Sequence, residues 1–213
     1  MSERITLMGC SIDNLSMEET LQTIEGFIHT GKPHQHVVVN VDKLVKASRD
    51  PELRQIINDC ALINVDGMPV VWASRLLGKP LKERVAGVDL FEALMRRAGE
   101  KGWRVFLLGA REEVVSKVAE TYTRKYPALR LAGYRNGYWK GEEEEAAVAD
   151  VGLDELESLS RDASHPLLHG TVGVGQVVDH HHLMAGVLQL DHGVRTDITH
   201  ATSNQNLHCM SLS

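Results

Sequence analysis

Two runs constrain the fold of this chain more than anything else in it. Val37-Val38-Val39 and Val105-Phe106-Leu107-Leu108 are continuously apolar, and the second is followed within a few residues by a segment apolar on one side only. A strand that does not alternate has no face left for water, so both faces are covered, as in a parallel sheet packed between helices. Parallel neighbours also need crossover connections, which helices supply.

The first 149 residues read this way throughout. Ile5 to Ile12 reads as an opening strand. Ser16-Met17-Glu18-Glu19 is a capping box that starts a helix through Leu21, Ile24 and Ile28, closed by Gly31 and Pro33. Asp50-Pro51 starts another through Leu53, Ile56 and Ile57. Ala61 to Val65 is a strand, and Asp66-Gly67 turns from it into a helix through Val70, Val71, Leu76 and Leu77 that Gly78 closes. Leu90 to Ala98 reads as a helix with Asp89 as its N-cap. Val114, Val115, Val118, Ala119 and Tyr122 form the buried side of the next, which ends at Pro127. Leu129 to Ala132 is a further strand, and Glu142 to Ala149 begins a helix with an acidic first turn. This alternation predicts an α/β fold: a Rossmann-like, mainly parallel sheet with helices on both faces. Ligands of such sheets bind beyond the carboxyl ends of the strands, where Asn40, Asp66 and Gly109 fall.

The chain changes character after Ala149. From Asp150 to Ser213 there is no Phe, Trp, Tyr or Lys, and eight of the eleven histidines lie there. A solvated natural tail is usually charged rather than rich in His, Leu and Val. The expected organisation is therefore an α/β domain over residues 1–149 and an atypical His-rich tail over 150–213. That tail is expected to be poorly ordered or out of reading frame, leaving the C-terminal part of the fold incomplete. A sheet lacking a strand has an unpaired edge, which favours a homo-oligomer.

The net charge of −6 argues against a nucleic-acid partner, because such binding draws on many Lys and Arg contacts to phosphates. Three widely spaced cysteines, Cys10, Cys60 and Cys209, without a Cys-x-x-Cys pair, fit reduced thiols in the cytoplasm. Met1-Ser2-Glu3-Arg4 is too polar for a signal peptide, and no run approaches the ~18 apolar residues of a membrane span.

Several residues can carry chemistry. Asp66, ending a strand beside Gly67, is a candidate general base; the competing role is a turn residue capping the helix that follows. Asn40 can orient a sugar hydroxyl through its donor and acceptor pair, or bond its own backbone. Arg84, in an irregular segment after Lys79, Pro80 and Lys82, can hold a diphosphate bidentately, or be a solvated surface cation. Gly109-Ala110 joins a strand to a helix whose first N–H groups can face a pyrophosphate, but the Gly-x-Gly-x-x-Gly pattern of dinucleotide folds is absent. His180-His181-His182 with His192 lack the spacing of a structural zinc site, so no native metal is expected.

Together these segments resemble the WecG/TagA/CpsF glycosyltransferases, glycosyltransferase family 26. The matching stretches are Val37-Val38-Val39-Asn40-Val41-Asp42, Asp50-Pro51-Glu52-Leu53-Arg54, Asp66-Gly67-Met68-Pro69-Val70-Val71-Trp72 and Glu83-Arg84-Val85-Ala86-Gly87-Val88-Asp89-Leu90. Phe106-Leu107-Leu108-Gly109-Ala110 and Gly133-Tyr134-Arg135-Asn136-Gly137-Tyr138 continue it, so that it covers roughly residues 3–149. The resemblance implies an inverting, metal-independent transferase without a cofactor. It would move N-acetylmannosamine or a related hexose from a UDP-sugar donor to a polyprenyl-diphosphate-linked acceptor, for teichoic acid or exopolysaccharide synthesis. It also implies a cytoplasmic protein, peripheral at the inner face of the membrane. On the same pattern Asp66 is the catalytic base, and Asn40 and Arg84 contact substrate. Gly109, Ala110, Gly137 and Tyr138 belong to the substrate-binding loops.

Two departures stand out. Where the family often has Thr two residues before the pocket Asn, this chain has Val38, which supplies no hydroxyl. The strand, Gly-x-Pro-x-Gln-Glu loop and basic C-terminal segment expected after the Glu142 helix are absent. The alternative to an active transferase is thus a truncated, non-catalytic sugar-nucleotide-binding module. A metal-binding His tail is a third reading.

Overall fold

A computed structural model describes residues 3–30 and 34–138, with the strand segments 173–178, 183–188 and 211–212. The chain opens with a hairpin, β1 (Arg4–Leu7) and β2 (Cys10–Asp13), rather than with one strand over residues 5–12. Met8 (φ 51°) and Gly9 (φ 86°) turn between them, both left-handed, as a two-residue hairpin loop demands. Met-Gly is not the usual sequence for such a turn, so the strand looked continuous.

The elements then alternate: α1 (Met17–Thr30), β3 (His34–Val39), α2 (Val41–Arg49), α3 (Pro51–Asp59), β4 (Leu62–Val65), α4 (Met68–Leu76), α5 (Gly87–Lys101), β5 (Arg104–Gly109), α6 (Glu112–Lys125) and β6 (Arg130–Arg135). The capping box forms as expected: the Ser16 N–H donates to Glu19 Oε2 at 2.8 Å, and the Glu19 N–H to Ser16 Oγ at 3.3 Å. Asp50 caps α3, accepting from the N–H groups of Glu52 and Leu53. Two starts differ from expectation. α2 was not anticipated, and α5 begins at Gly87 with Ala86 as N-cap, so Asp89 lies within its first turn and caps nothing. The acidic helix expected at Glu142–Ala149 lies outside the described residues.

β3 and β4 pair in parallel, as do β5 and β6. Between the two pairs run β7 (Gly173–Val178) and β8 (Leu183–Leu188), giving the order β4-β3-β7-β8-β5-β6, with β9 (Ser211–Leu212) also against β5. The antiparallel ladders all involve β7 or β9, apart from the separate β1–β2 hairpin. Because β3 and β8 both run opposite to β7, and β5 runs with β8, strands β3 to β6 all point the same way. Their carboxyl ends therefore share one edge of the sheet. The rest of the expected His-rich tail, including His180 to His182 and His192, lies outside the described residues, as does Cys209.

Helices cover both faces of this α/β fold. On one, α1, α5 and α6 pack Leu21, Ile24, Leu90, Leu94, Met95 and Val115 against Leu62, Val105 and Leu107. On the other, the β1–β2 hairpin with α2, α3 and α4 packs Ile5, Ile12, Leu44, Ile57 and Val71 against Val37, Val39, Ile63 and Val65. Leu62 and Ile63 enter opposite cores because neighbouring strand residues face opposite ways, which is why the β4 segment is apolar throughout. One polar chain crosses the first interface: Asn64 Nδ2 donates to Thr20 Oγ1 at 3.0 Å, and its Oδ1 lies 2.8 Å from His36 Nε2, all three residues buried. Cys10 and Cys60 are buried free thiols, and burial pushes Cys60 up to about 12.

Candidate active site

Val39 and Val65 are register partners at the ends of β3 and β4, so the next residues, Asn40 and Asp66, stand side by side. The Asp66 N–H donates to the Val39 carbonyl at 2.8 Å, and the Val85 N–H to the Val65 carbonyl at 2.9 Å. These two bonds carry the ladder past the last strand residue and fix where the Asp66 side chain leaves the sheet. Gly67 follows at φ 143°, a conformation that only glycine adopts easily, and is itself the N-cap of α4, whose second residue is Pro69.

Asp66 does not cap that helix. Its Oδ2 lies 3.4 Å from the Gly87 N–H, at the start of α5, and its Oδ1 lies 3.9 Å from Arg84 Nη1. The carboxylate is 39% exposed, open to a ligand from one side. Arg84 is not a free surface cation either, because its Nη2 donates to Asp89 Oδ2 at 3.0 Å. One guanidinium thus bridges two carboxylates, on either side of the α5 start. Asn40 caps α2 by accepting the Lys43 N–H at 2.9 Å, which occupies its oxygen and leaves its NH2 group for a ligand.

Sequence reasoning missed Lys43. It is 8% exposed, and its ammonium donates to the Val38 carbonyl at 2.7 Å. Desolvation lowers its pKa from 10.5 to about 8, against the opposing pull of Asp66, Cys60 and Asp42. The signal was a lysine on the side of α2 that carries Leu44 and Ala47, a side that is otherwise buried.

Beside Asp66 and Arg84 opens a cleft of about 520 Å³. Met17, Met68 and Val71 make its apolar wall; Arg75, Lys82 and Arg84, with Glu83 and Asp89, make its charged rim. An apolar wall with a few convergent charges suits a small polar ligand.

The remaining candidates gather elsewhere on the same edge. Gly109 (φ 131°) and Ala110 (φ 57°) leave β5 in unusual conformations, and the Gly137 N–H donates to the Ala110 carbonyl at 2.9 Å. A Cβ on Gly137 would come within 2.9 Å of the Gly109 Cα, so the two loops touch backbone to backbone. Tyr138 is 49% exposed, and its N–H donates to Asn136 Oδ1 at 3.0 Å. Gly109, Ala110, Gly137 and Tyr138 thus share one place, three strand steps of ~4.8 Å, roughly 14 Å, from β3. The first turn of α6 carries Glu112 and Glu113, whose charges oppose a pyrophosphate at that helix start. Among the described residues there is no cluster of three or more metal-ligating side chains, and no helix is long and apolar enough to cross a membrane.

The family model for the glycosyl transferase WecG/TagA/CpsF family matches residues 5–153. The chain belongs to the WecG/TagA/CpsF family. Among curated members, an N-acetylglucosaminyldiphosphoundecaprenol N-acetyl-beta-D-mannosaminyltransferase of Bacillus spizizenii strain W23 is 37% identical over 110 residues. That stretch is 52% of this chain and 43% of the relative, so the chain spans less than half of the family member it matches.

Proposed function

We propose that this chain is an inverting hexosyltransferase that takes N-acetylmannosamine, or a closely related hexose, from a UDP-sugar. The acceptor is a sugar carried on a polyprenyl diphosphate, the class named for the Bacillus relative. The observation that carries the reading is the Asp66 carboxylate, held between the Gly87 N–H and Arg84, the guanidinium that lines the neighbouring cleft.

In the proposed step, Asp66 takes the proton of an acceptor hydroxyl. The oxygen forms a bond to the anomeric carbon from the face opposite UDP. The anomeric carbon–oxygen bond breaks, and UDP departs with the electron pair. Arg84, Arg75 and Lys82 on the cleft rim supply positive charge for the departing diphosphate. The Asn40 amide, beside Asp66, donates to a sugar hydroxyl, and the paired loops at Ala110 and Gly137 receive the nucleotide side of the donor. The reaction takes place at the inner face of the membrane, where the lipid-linked acceptor resides.

The test is Asp66→Asn, assayed by release of UDP with a lipid-linked acceptor. A positioned general base contributes about 10²- to 10⁴-fold, so activity should fall by at least about 100-fold while the melting profile stays unchanged. A variant as fast as the parent removes Asp66 from the mechanism. The place of Asp66 outside the residues that line the cleft favours a second reading: a sugar-nucleotide-binding module without turnover. That reading predicts calorimetric binding of UDP, indifferent to Asp66→Asn, and no UDP release with any acceptor.

A further inference from the structure

Apart from Met68, which lines the cleft, the outward side of α4 has no part in the proposed transfer. Met68, Trp72 and Leu76, each four residues from the next, are 39%, 59% and 90% exposed, and Leu77 is 64% exposed. The opposite side, Val70, Val71 and Ser74, is buried. A soluble helix normally shows water its polar side; this one shows an indole and two leucines.

The surroundings of that stripe say what it fits. From Met68 to Lys82 the chain carries Arg75, Lys79 and Lys82 and no acidic residue; Lys82 binds Glu19 of α1 at 2.7 Å, so Arg75 and Lys79 are the cations offered to lipid. The segment that bears the two lysines is fastened beside the helix. The Lys79 N–H donates to the Ser74 carbonyl at 2.9 Å, and the Leu81 N–H to Ser74 Oγ at 3.0 Å. Exposed apolar residues led by a tryptophan and flanked by cations are the composition of a helix lying in a membrane interface, with the indole at headgroup depth and the cations against anionic lipid. The helix also starts at the reaction edge. Met68, two residues after Asp66, lies in the stripe and lines the cleft, and Arg75 lines it too.

We propose that α4 and the following turn dock this protein on an anionic phospholipid bilayer, with Trp72, Leu76 and Leu77 in the interface and the cleft lined by Met68, Arg75 and Arg84 facing the headgroups. The choice of a lipid partner rests on the functional reading above. The arrangement brings the diphosphate and sugar of a lipid-linked acceptor to the cleft while its hydrocarbon chain stays in the bilayer.

The test is flotation of the full chain with vesicles of phosphatidylcholine, with and without phosphatidylglycerol. The parent should float with the anionic vesicles and release at high salt, and its tryptophan emission should shift to the blue. The double variant Trp72→Ser, Leu76→Ser touches only exposed side chains, so it should keep the parent's circular dichroism and melting profile while partitioning at least roughly tenfold less. Lys79→Gln should cost roughly fivefold. A double variant that floats like the parent overturns the proposal, as does a parent that does not float. A parent that sediments as a dimer, made monomeric by the double substitution and indifferent to vesicles, overturns it in favour of a second copy of the chain. Transfer to a water-soluble, short-chain acceptor separates the two readings. A parent that does not float but shows Asp66-dependent transfer sinks docking alone, whereas a parent that floats without transfer sinks only the transferase.

Discussion

Replacing Lys43 by Met should remove a specific pH dependence of stability. The Lys43 ammonium is buried and donates to the Val38 carbonyl, and desolvation lowers its pKa from 10.5 to about 8. In the unfolded chain the amine regains its ordinary proton affinity. Between pH 8 and 10.5 the unfolded state therefore binds more protons than the folded one, and stability rises with pH across that window. The full gap is worth about 3 kcal/mol, at ~1.4 kcal/mol per tenfold in proton affinity, of which about 2 kcal/mol falls between pH 8 and pH 10. Below pH 8 the folded protein carries the whole cost of the buried charge. The raw profile hides this rise, because burial raises the pKa of the Cys60 thiol and of the Tyr122 hydroxyl, and Glu92 raises Tyr122 further. Those groups hold protons in the folded state that the unfolded chain has lost, so they lower stability as pH rises above about 9. The difference between parent and Lys43→Met isolates the lysine. Urea unfolding from pH 7 to pH 10 should show the parent gaining about 2 kcal/mol on the variant. Parallel curves would refute the argument, and would mean that water reaches the ammonium.

Two further substitutions probe the elements around the site. Gly137→Ala should lower stability by about 1–3 kcal/mol in urea unfolding, because the new methyl would meet the Gly109 backbone at 2.9 Å; an unchanged midpoint would mean the loops separate freely. Asp50→Ala should cost about 1 kcal/mol through the lost α3 cap, with Asp50→Asn recovering most of it; equal losses in the two variants would put the effect in charge rather than capping.

The parts of the fold legible in the sequence were those decided locally. The Ser16–Glu19 box and the Asp50 cap are short-range hydrogen bonds between residues two or three apart, and both form. The runs 37–39 and 105–108 are strands with consecutive residues buried, Val37 to Val39 and Val105 to Leu107, so that neither face is left to water. What stayed hidden depended on partners distant in sequence. The α5 start moves three residues ahead of the expected Leu90 because Gly87 belongs to the core and its N–H meets Asp66, 21 residues away. Asp89 looked like a cap, but Arg84 claims it. The adjacency of Asn40 and Asp66 follows from the β3–β4 register, which no local pattern states. Lys43 went unnoticed because the charge of a lysine suggests solvent, whereas the end of β3 supplies a carbonyl for it.

The buried chain from Thr20 through Asn64 to His36 sets how accurately the cleft is built. An all-apolar contact between α1 and the sheet could slip along the helix and still bury similar area. A slip of one turn, about 5.4 Å, would take Thr20 from the Asn64 amide and strand that N–H in hydrocarbon, at roughly 1–3 kcal/mol. The helix therefore has one berth. Its first residue, Met17, lines the cleft, and the Met17 N–H donates to Glu83, which lines it too. A hydrogen bond hidden in the core thereby helps to place one wall of a cleft that its own atoms do not line.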